Sequence, residues 1–241
     1  MTIRRAPHPS PAPPPSGPLA VVFTGGERPS PDALDGVPRD AYVIAADSGL
    51  HHALDLGWPV HVVVGDFDSV DVGLLARAES RGAVVEPHPE AKDHTDLELA
   101  LRRARELGAR QVVVVGGGGG RFDHLLANAL VLASAEFAPL EIEARHSGAR
   151  IHVVRSLARL SGSPGELVTL LPIGGPVHGV TTAGLLYPLA CDTLIPGTTR
   201  GVSNELLGEQ ATVEVGSGVL IAIQPGGRGT HVFRQLTGGI T

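Results

Sequence analysis

The stretch Val62-Val63-Val64-Gly65-Asp66-Phe67-Asp68-Ser69 places two carboxylates directly after a short apolar run. A β-branched run bounded by turn residues is typical of a buried parallel strand. Side chains alternate along an extended chain, so Asp66 and Asp68 are expected on the same side, at the carboxyl end of the strand, where open α/β sheets bind ligands. A cation between the two carboxylates is one interpretation, and a polar loop with a helix cap is the other.

The composition is typical of an ordinary soluble protein. The chain of 241 residues suits one large domain or two small ones, and a hydrophobic content of 42% supports a buried core. A net charge of −6 and an aromatic content of 3% offer neither the basic surface nor the stacking platforms of a nucleic-acid-binding protein. The single cysteine, Cys191, excludes an internal disulfide, and no spaced Cys/His set indicates structural zinc. A reducing cytoplasm is the expected compartment.

Neither a membrane span nor a signal peptide is predicted. No apolar run approaches the roughly 18 residues that a spanning helix needs. Arg4 and Arg5 are followed by prolines and not by the apolar core of a signal peptide. Residues 1–18 hold seven of the 20 prolines, which predicts a disordered or polyproline tail.

From Leu19 the pattern alternates strand, loop and helix, which predicts βαβ units and a mostly parallel sheet. The predicted strands are 19–23, 42–46, 61–64, 82–85 and 111–115. The predicted helices are 50–56, 72–80, 94–107 and 121–136. The pattern therefore predicts a Rossmann-like α/β domain over residues 19–146.

After about residue 146 the helical periodicity disappears. Strand patterns at 151–154, 167–171, 177–181, 211–215 and 219–223 are separated by Gly/Pro/Ser turns. Such spacing is typical of an all-β sandwich or barrel, here predicted over residues 147–241.

Three further aspartates are expected beside Asp66 and Asp68. Asp47 also ends a strand, and parallel neighbours bring strand ends to one edge of a sheet. Asp93 and Asp96 are three residues apart, which places them on one face of a helix's first turn, although Asp93 alone also fits a helix cap. Five converging carboxylates would repel one another and raise their pKa values unless a hard divalent cation bound them. The pattern therefore predicts a magnesium site.

A run of five glycines follows strand 111–115 and precedes a helix. Backbone N–H groups in such a loop, together with the helix N-terminus, predict an anion site, although a flexible linker is an alternative. The loop lacks the Lys-Ser/Thr of a Walker A motif, and Arg121 stands where a dinucleotide fingerprint needs glycine. The planar guanidinium of Arg121 suits phosphate oxygens. Asn128 and either His124 or Leu125 share its helical face.

Lys92 is the only lysine in the chain and adjoins Asp93. It is interpreted either as a mobile point charge for a phosphate or as a chance occurrence.

Four segments, taken together, resemble the thiamine pyrophosphokinase family. They are Ala46-Asp47-Ser48-Gly49, Gly65-Asp66-Phe67-Asp68-Ser69, Lys92-Asp93-His94-Thr95-Asp96, and Gly119-Gly120-Arg121-Phe122-Asp123-His124 with Asn128. The resemblance continues through 182–187 and 201–205, and so covers about residues 19 to 225. Two departures are Asp47-Ser48-Gly49 in place of the more familiar Asp-Gly-Gly, and Tyr187 where some relatives carry Trp.

The resemblance implies transfer of a diphosphoryl group from ATP to the hydroxyl of thiamine, giving thiamine diphosphate and AMP. It also implies a homodimer, with thiamine held where the catalytic domain of one chain meets the β domain of the other. Positioning and charge neutralisation suit this chemistry, but attack on the β-phosphorus rests on the resemblance alone. A pyrophosphokinase for another alcohol, such as a pterin, and an inactive nucleotide- or thiamine-binding module are the alternatives.

The resemblance assigns roles to individual residues. The predicted catalytic residues are Asp68, Asp96 and Arg121. The choice of Asp96 as the candidate proton acceptor rests on general acid–base chemistry and not on the resemblance. The implied magnesium ligands are Asp47, Asp66, Asp68, Asp93 and Asp96. The implied contacts to ATP and its phosphates are Gly25, Gly26, Lys92, Thr95, Gly118, Gly119, Gly120, Arg121, Asp123, His124 and Asn128. The implied thiamine contacts are Tyr187, by stacking, and Ser203 and Asn204, by hydrogen bonds.

Overall fold

A computed structural model describes residues 19–89, 94–119 and 122–226. The proline-rich segment 1–18 and four residues with predicted or neighbouring roles, Lys92, Asp93, Gly120 and Arg121, lie outside the described residues. The chain forms two compact units, with the boundary between Ile142 and Glu143. This boundary falls within the strand Glu141–His146, and the predicted boundary at 146/147 falls at the end of that strand.

The first unit alternates strands and helices. Its strands are β1 (Leu19–Phe23), β2 (Tyr42–Ala46), β3 (Val62–Gly65), β4 (Val84–Pro87) and β5 (Gln111–Val115). Its helices are α1 (Gly49–Asp55), α2 (Val72–Ser80), α3 (Asp96–Glu106) and α4 (Phe122–Leu132). Neighbouring strands are parallel, in the order β4-β3-β2-β1-β5. The predicted parallel pairing is confirmed, and the Rossmann-like description stays a prediction.

The apolar strand residues predicted to be buried form the core of this unit. Phe23, Val115 and Trp58 belong to one cluster, which also contains Ala53 of α1. A second cluster joins Val63 of β3 to residues of α1 and α2. Burial of the strands fixes the sheet, so the loops at the strand ends project from a rigid edge.

Two helices differ in length from their predicted ranges. α3 begins at Asp96 because the Oγ1 of Thr95 caps it, accepting the N–H of Glu98 at 3.2 Å. α4 ends at Leu132, and a separate 3₁₀ turn follows at Ala135–Phe137. Among the described residues, no helix has both the length and the apolar character needed to cross a membrane.

The second unit is rich in antiparallel strands. They are β6 (Glu141–His146), which begins at the end of the first unit, β7 (Ala149–Val154), β8 (Leu157–Ser161), β9 (Leu167–Ala183), β10 (Asp192–Leu194), β11 (Asn204–Glu205), β12 (Gln210–Glu214) and β13 (Ser217–Gln224). Their order is β6-β7-β13-β9-β12-β8, and β10 and β11 also pair with β9. A β-rich second part is confirmed, and its closure as a sandwich or barrel stays a prediction.

The prediction of two separate strands at 167–171 and 177–181 is wrong, because both belong to the 17-residue strand β9. The first part of β9 pairs with β13, and its last residues pair with β12. Gly174 and Gly179 take left-handed φ values of 76° and 66°, which bend the strand without ending it. The glycines and prolines that predicted a turn therefore lie at bends within a single strand, which pairs with several other strands.

Burial of His146 in β6 makes the stability of the protein sensitive to acid. His146 is 4% exposed, and burial lowers its pKa to about 4. Because this lies below the value of about 6.5 in the unfolded chain, the unfolded state binds more protons between pH 6.5 and 4. The stability that neutral His146 contributes is therefore complete above about pH 6.5 and falls as the pH drops towards 4.

We expect His146→Asn to flatten this dependence, removing up to about 3 kcal/mol of the loss in unfolding free energy between pH 6.5 and 4. Urea unfolding across this range measures the slope. His178→Asn, which changes an exposed histidine of β9, serves as the control and should keep the wild-type slope. A wild-type slope in His146→Asn would contradict the prediction.

Candidate active site

Three aspartates meet at the carboxyl ends of β2 and β3. One carboxylate oxygen from each of Asp47, Asp66 and Asp68 lies within 4.8 Å of the other two. Asp47 follows β2, and the other two follow β3, which is its parallel neighbour. The parallel register therefore brings together carboxylates that are about 20 residues apart in the chain.

The carboxylates converge through turns and not through alternation along a strand. β3 ends at Gly65, and Phe67, between Asp66 and Asp68, has a left-handed φ of 64°. The N–H of Asp68 donates to Oδ1 of Asp66 at 3.3 Å, which closes this turn. The predicted extended path is therefore wrong, although the expected proximity of the two side chains is present.

Close main-chain contact holds the loops after β2 and β3 together. The N–H of Asp47 donates to the carbonyl of Val64 at 2.8 Å. A Cβ on Gly65 would lie only 3.2 Å from Cβ of Asp47, and Gly65 has a φ of 148°. Glycine at this position therefore lets the two aspartate loops approach each other.

Burial and neighbouring charges make the carboxylate of Asp47 suited to binding a cation. It is 9% exposed, and its Oδ1 is buried without a hydrogen-bond partner among the described residues. Burial raises the pKa of Asp47, and the carboxylates of Asp96, Asp66 and Asp68 raise it further, while the N–H of Ser48 lowers it. Hard oxygen donors with an unsatisfied buried atom fit a divalent cation such as Mg²⁺.

Asp96 is the first residue of α3. Its charge acts on Asp47, but it is not one of the three carboxylates within 4.8 Å. Thr95, a predicted ATP contact, is exposed and caps α3 through its Oγ1. The predicted neighbours Asp93 and Lys92 lie outside the described residues.

The glycine loop lies where the strand order of the sheet changes direction. β1 has β2 on one side and β5 on the other, so the loops after β1 and β5 flank a switch point, which is where open α/β sheets bind ligands. Three backbone hydrogen bonds join these loops: Thr24 N–H to Val115 O (2.9 Å), Gly117 N–H to Gly25 O (2.7 Å) and Glu27 N–H to Gly118 O (2.7 Å).

Steric contact explains the glycines in both loops. A Cβ on Gly26 would lie 2.7 Å from the carbonyl oxygen of Gly118, and one on Gly116 would collide with the carbonyl oxygen of Thr24. Both glycines also have left-handed φ values, 96° and 98°. The loops are interlocked, which argues against a flexible linker.

The aspartate loops and the glycine loops form one continuous edge within the first unit. A Cβ on Gly25 would collide with the Oγ of Ser48, and one on Gly49 would collide with the carbonyl oxygen of Phe23. The segment that departs from the familiar Asp-Gly-Gly therefore packs directly against the β1 loop. Ser48 lies between Asp47 and the interlocked glycines.

His52 supports this edge, a role that sequence reasoning missed. The Nδ1–H of His52 donates to the carbonyl of Thr24 at 3.1 Å, and burial lowers the pKa of His52. Neutral His52 thus ties α1 to the loop after β1. The two adjacent histidines gave no signal for this contact, because it joins residues 28 positions apart.

The start of α4 presents polar and apolar side chains to solvent. Asp123 and His124, both predicted phosphate contacts, are exposed, and Asn128 is partly buried one turn after His124. Phe122 and Leu126 are also exposed, at 75% and 50%. The predicted phosphate contacts Gly120 and Arg121 lie outside the described residues.

In the second unit, the predicted thiamine contacts come together beside β11. Asn204 joins Tyr187 by two hydrogen bonds, its Oδ1 accepting the N–H of Tyr187 at 2.9 Å and its Nδ2 donating to the Tyr187 carbonyl at 2.7 Å. Ser203 precedes Asn204, is exposed, and donates its N–H to Oγ1 of Thr169 at 3.1 Å. Tyr187 is 65% exposed, so its ring is accessible.

Comparison with known families matches both units of the chain. Residues 37–144 match the family model described as the thiamin pyrophosphokinase catalytic domain. Residues 149–220 match the model described as the thiamin pyrophosphokinase vitamin B1 binding domain. The chain belongs to the thiamine pyrophosphokinase family.

Relatives from bacteria and plants support this membership over most of the chain. The thiamine pyrophosphokinase of Bacillus subtilis is 28% identical over 216 residues, which cover 86% of this chain and 97% of the relative. The thiamine pyrophosphokinase 1 of rice (Oryza sativa subsp. japonica) is 26% identical over 245 residues, with 88% of each protein covered. The crystal structure of the B. subtilis enzyme superposes with a TM-score of 0.75 at 27% identity, covering 87% of this chain and 99% of that one.

The two family segments separate the candidate site residues. The segment matched to the catalytic domain contains the three clustered aspartates and the glycine loop after β5. The segment matched to the vitamin B1 binding domain contains Tyr187, Ser203 and Asn204. Family membership therefore assigns the aspartates and the Tyr187 surface to different parts of a thiamine pyrophosphokinase.

We expect Asp47→Asn to raise the melting temperature of the metal-free protein and to abolish stabilisation by Mg²⁺. The raised pKa means that the charged form of Asp47 is less favourable in the folded state than in the unfolded chain, so this charge lowers stability above the unfolded pKa. Removing the charge relieves that cost at neutral pH and also removes a cation ligand. Thermal unfolding with EDTA and with excess Mg²⁺ measures both effects.

Asp71→Asn is the matched control for this experiment. Oδ1 of Asp71 accepts the N–H of Leu74 at 3.0 Å and caps α2, a role that Asn can also fill. The control should keep the Mg²⁺-dependent shift of the wild type. A shift of the same size in Asp47→Asn would contradict a cation site at this cluster.

Proposed function

We propose that this protein transfers the diphosphoryl group of ATP to the hydroxyl of thiamine, forming thiamine diphosphate and AMP. The observation that carries the proposal is the cluster of Asp47, Asp66 and Asp68 beside interlocked glycine loops, in a chain that matches both segments of the family. Two other functions, transfer to another alcohol such as a pterin and inactive binding, are not favoured, because the matched relatives are named thiamine pyrophosphokinases.

The aspartate cluster is the proposed Mg²⁺ site. Asp47, Asp66 and Asp68 supply oxygen ligands, and Asp93 and Asp96 are the further ligands that the resemblance implies. A Mg²⁺ ion held by these carboxylates would supply positive charge beside the phosphates of ATP during phosphoryl transfer. The main chain holds the three carboxylates together before the ion binds, which reduces the reorganisation that binding requires.

The switch-point loops are the proposed site for the phosphates of ATP. The interlocked backbone of Gly25, Gly26, Gly118 and Gly119 offers close approach without side chains, a requirement for binding an anion through main-chain groups. Arg121, Asp123, His124 and Asn128 are the further contacts implied by the resemblance, with Gly120, Thr95 and Lys92. Arg121 is proposed to stabilise charge on the transferred group.

Exposed Tyr187 and the hydroxyl of Ser203 form the proposed thiamine surface, and buried Asn204 lies beside it as the third residue that the resemblance implies. An exposed aromatic ring suits an aromatic, positively charged ligand such as thiamine. Asp96, which begins α3, is the proposed acceptor of the thiamine hydroxyl proton. Attack at the β-phosphorus then releases AMP.

The proposal predicts the products and the effect of losing one carboxylate. Purified protein with Mg²⁺, ATP and thiamine should form AMP and thiamine diphosphate in equal amounts. We expect Asp68→Asn to lower kcat by at least about 100-fold, because a ligand of the ion is lost. Coupled detection of AMP and chromatography of thiamine diphosphate measure the reaction.

Asp55→Asn is the control, because Asp55 pairs with Arg28 at 3.3 Å on the surface at the opposite end of α1 from Asp47. Its turnover should equal that of the wild type. Formation of ADP, or AMP release that does not depend on thiamine, would contradict the proposed function.

We further propose a homodimer in which the catalytic unit of one chain and the thiamine surface of the other complete each site. Apolar side chains exposed in both units support an association between copies. In the first unit they include Phe122, Leu126 and Leu130, and in the second Leu186, Val202 and Leu207. Burial of such side chains is the usual driving force for association.

Mixing two impaired variants, assayed at a thiamine concentration far below the KM of Tyr187→Ala, tests this arrangement. Asp68→Asn removes a carboxylate from one unit, and Tyr187→Ala removes the ring from the other. If each site uses two chains, an equal mixture that exchanges subunits contains intact sites and should recover about a quarter of wild-type activity. Activity no higher than that of the parent variants, after subunit exchange is verified by mass spectrometry, would contradict a shared site.

A further inference from the structure

The buried side chain of Asn204 forms hydrogen bonds with the main chain of Tyr187. Asn204 is 3% exposed, and its Oδ1 accepts N–H groups from both Tyr187 and Glu205 at 2.9 Å. Its Nδ2 donates to the carbonyl of Tyr187 at 2.7 Å. Both acceptor positions of Oδ1 and one of the two protons on Nδ2 are therefore used by the protein's own backbone.

Side-chain hydrogen bonds hold the loop that contains Tyr187. At its base, Oγ1 of buried Thr182 accepts the N–H of Leu189 at 2.9 Å. Around Tyr187 itself, Asn204 supplies the side-chain contact, and the N–H of Leu186 donates to the carbonyl of Glu205 at 2.9 Å. Since Tyr187 is 65% exposed, packing around its side chain contributes little to its position.

The same segment also sets the main chain of Ser203. Ser203 has a left-handed φ of 56°, and its N–H donates to Oγ1 of Thr169 at 3.1 Å. Asn204 follows directly and turns its side chain into the protein, while Ser203 remains exposed. The segment therefore exposes Ser203 to solvent, while the next residue, Asn204, holds Tyr187 in place.

We propose that Asn204 is a positioning residue, which strengthens thiamine binding by fixing Tyr187 and not by a direct hydrogen bond to thiamine. This inference rests on the proposed function and deepens it. The resemblance implies a direct bond, but a buried amide whose acceptor positions are both occupied has little capacity left for a ligand. Thr169 has the corresponding positioning role for Ser203.

A double-mutant cycle distinguishes the two roles. Asn204→Ala should raise the KM for thiamine about 10-fold, equivalent to about 1.4 kcal/mol, while kcat and the KM for ATP change less than about 2-fold. In a Tyr187→Ala background, the same substitution should add less than about 2-fold, because the ring that Asn204 positions is absent. A further increase of about 10-fold in the double variant would show direct binding and overturn the inference.

Thr182→Val is the matched control, because it removes a buried side-chain hydrogen bond from the same loop at a site away from Tyr187. It should lower the melting temperature but change the KM for thiamine less than about 2-fold. Hydrogen exchange of the segment 184–189 should increase near Tyr187 in Asn204→Ala. A KM increase in Thr182→Val equal to that in Asn204→Ala would assign the effect to general loop stability and overturn the inference.

Two further measurements allow the positioning role to be tested if Asn204→Ala does not fold or if the wild type is inactive. If Asn204→Ala does not fold, Asn204→Asp retains acceptors for the N–H groups of Tyr187 and Glu205, and the cycle is repeated with it. The wild-type reaction is measured first. Absence of thiamine-dependent AMP formation in the wild type would refute the proposed function, whereas an active wild type with an additive cycle would refute only the positioning role.

Discussion

The convergence of Asp47, Asp66 and Asp68 at one edge of the sheet is the constraint around which the candidate site of the first unit is built. Parallel pairing of β2 and β3 forces their loops to the same edge, and Gly65 lets the main chain of Asp47 approach closely. This arrangement makes the charged form of Asp47 unfavourable, because burial and neighbouring charge raise its pKa. Such an arrangement suits the proposed cation, because an ion would offset both burial and repulsion.

Main-chain contact also organises the neighbouring loops. The glycines after β1 and β5 are needed because carbonyl oxygens occupy the space that a Cβ would fill. His52 adds a hydrogen bond from α1 to the same edge, so the loops are held by a helix as well as by each other. In the second unit, Asn204 fixes a loop in a comparable way, with a buried amide that bonds the main chain of an exposed tyrosine.

Much of the fold could be predicted from local pattern. β1, β2, α2 and β5 have the bounds expected from apolar runs and turn residues, because these strands are buried and the helix is bounded by a cap. β9 could not be predicted as one strand, since glycines usually interrupt strands and only its several partners keep it continuous. β10 and β11 have three and two residues, too few for a periodic signal, and exist because β9 pairs with them.

For the site, residue types and spacing were sufficient to predict an acidic cluster after two strands, a glycine loop between strand and helix, and the family. Carboxylates and glycines at the carboxyl ends of parallel strands stand where open α/β sheets bind ligands, and carboxylate oxygens suit hard cations. Three features could be identified only from the folded chain. They are the turn at Phe67, the hydrogen bond of His52 to Thr24 and the hydrogen bonds of Asn204 to Tyr187. Each of these joins or orients groups through main-chain atoms, which every residue possesses, so no side-chain pattern in the sequence can indicate them.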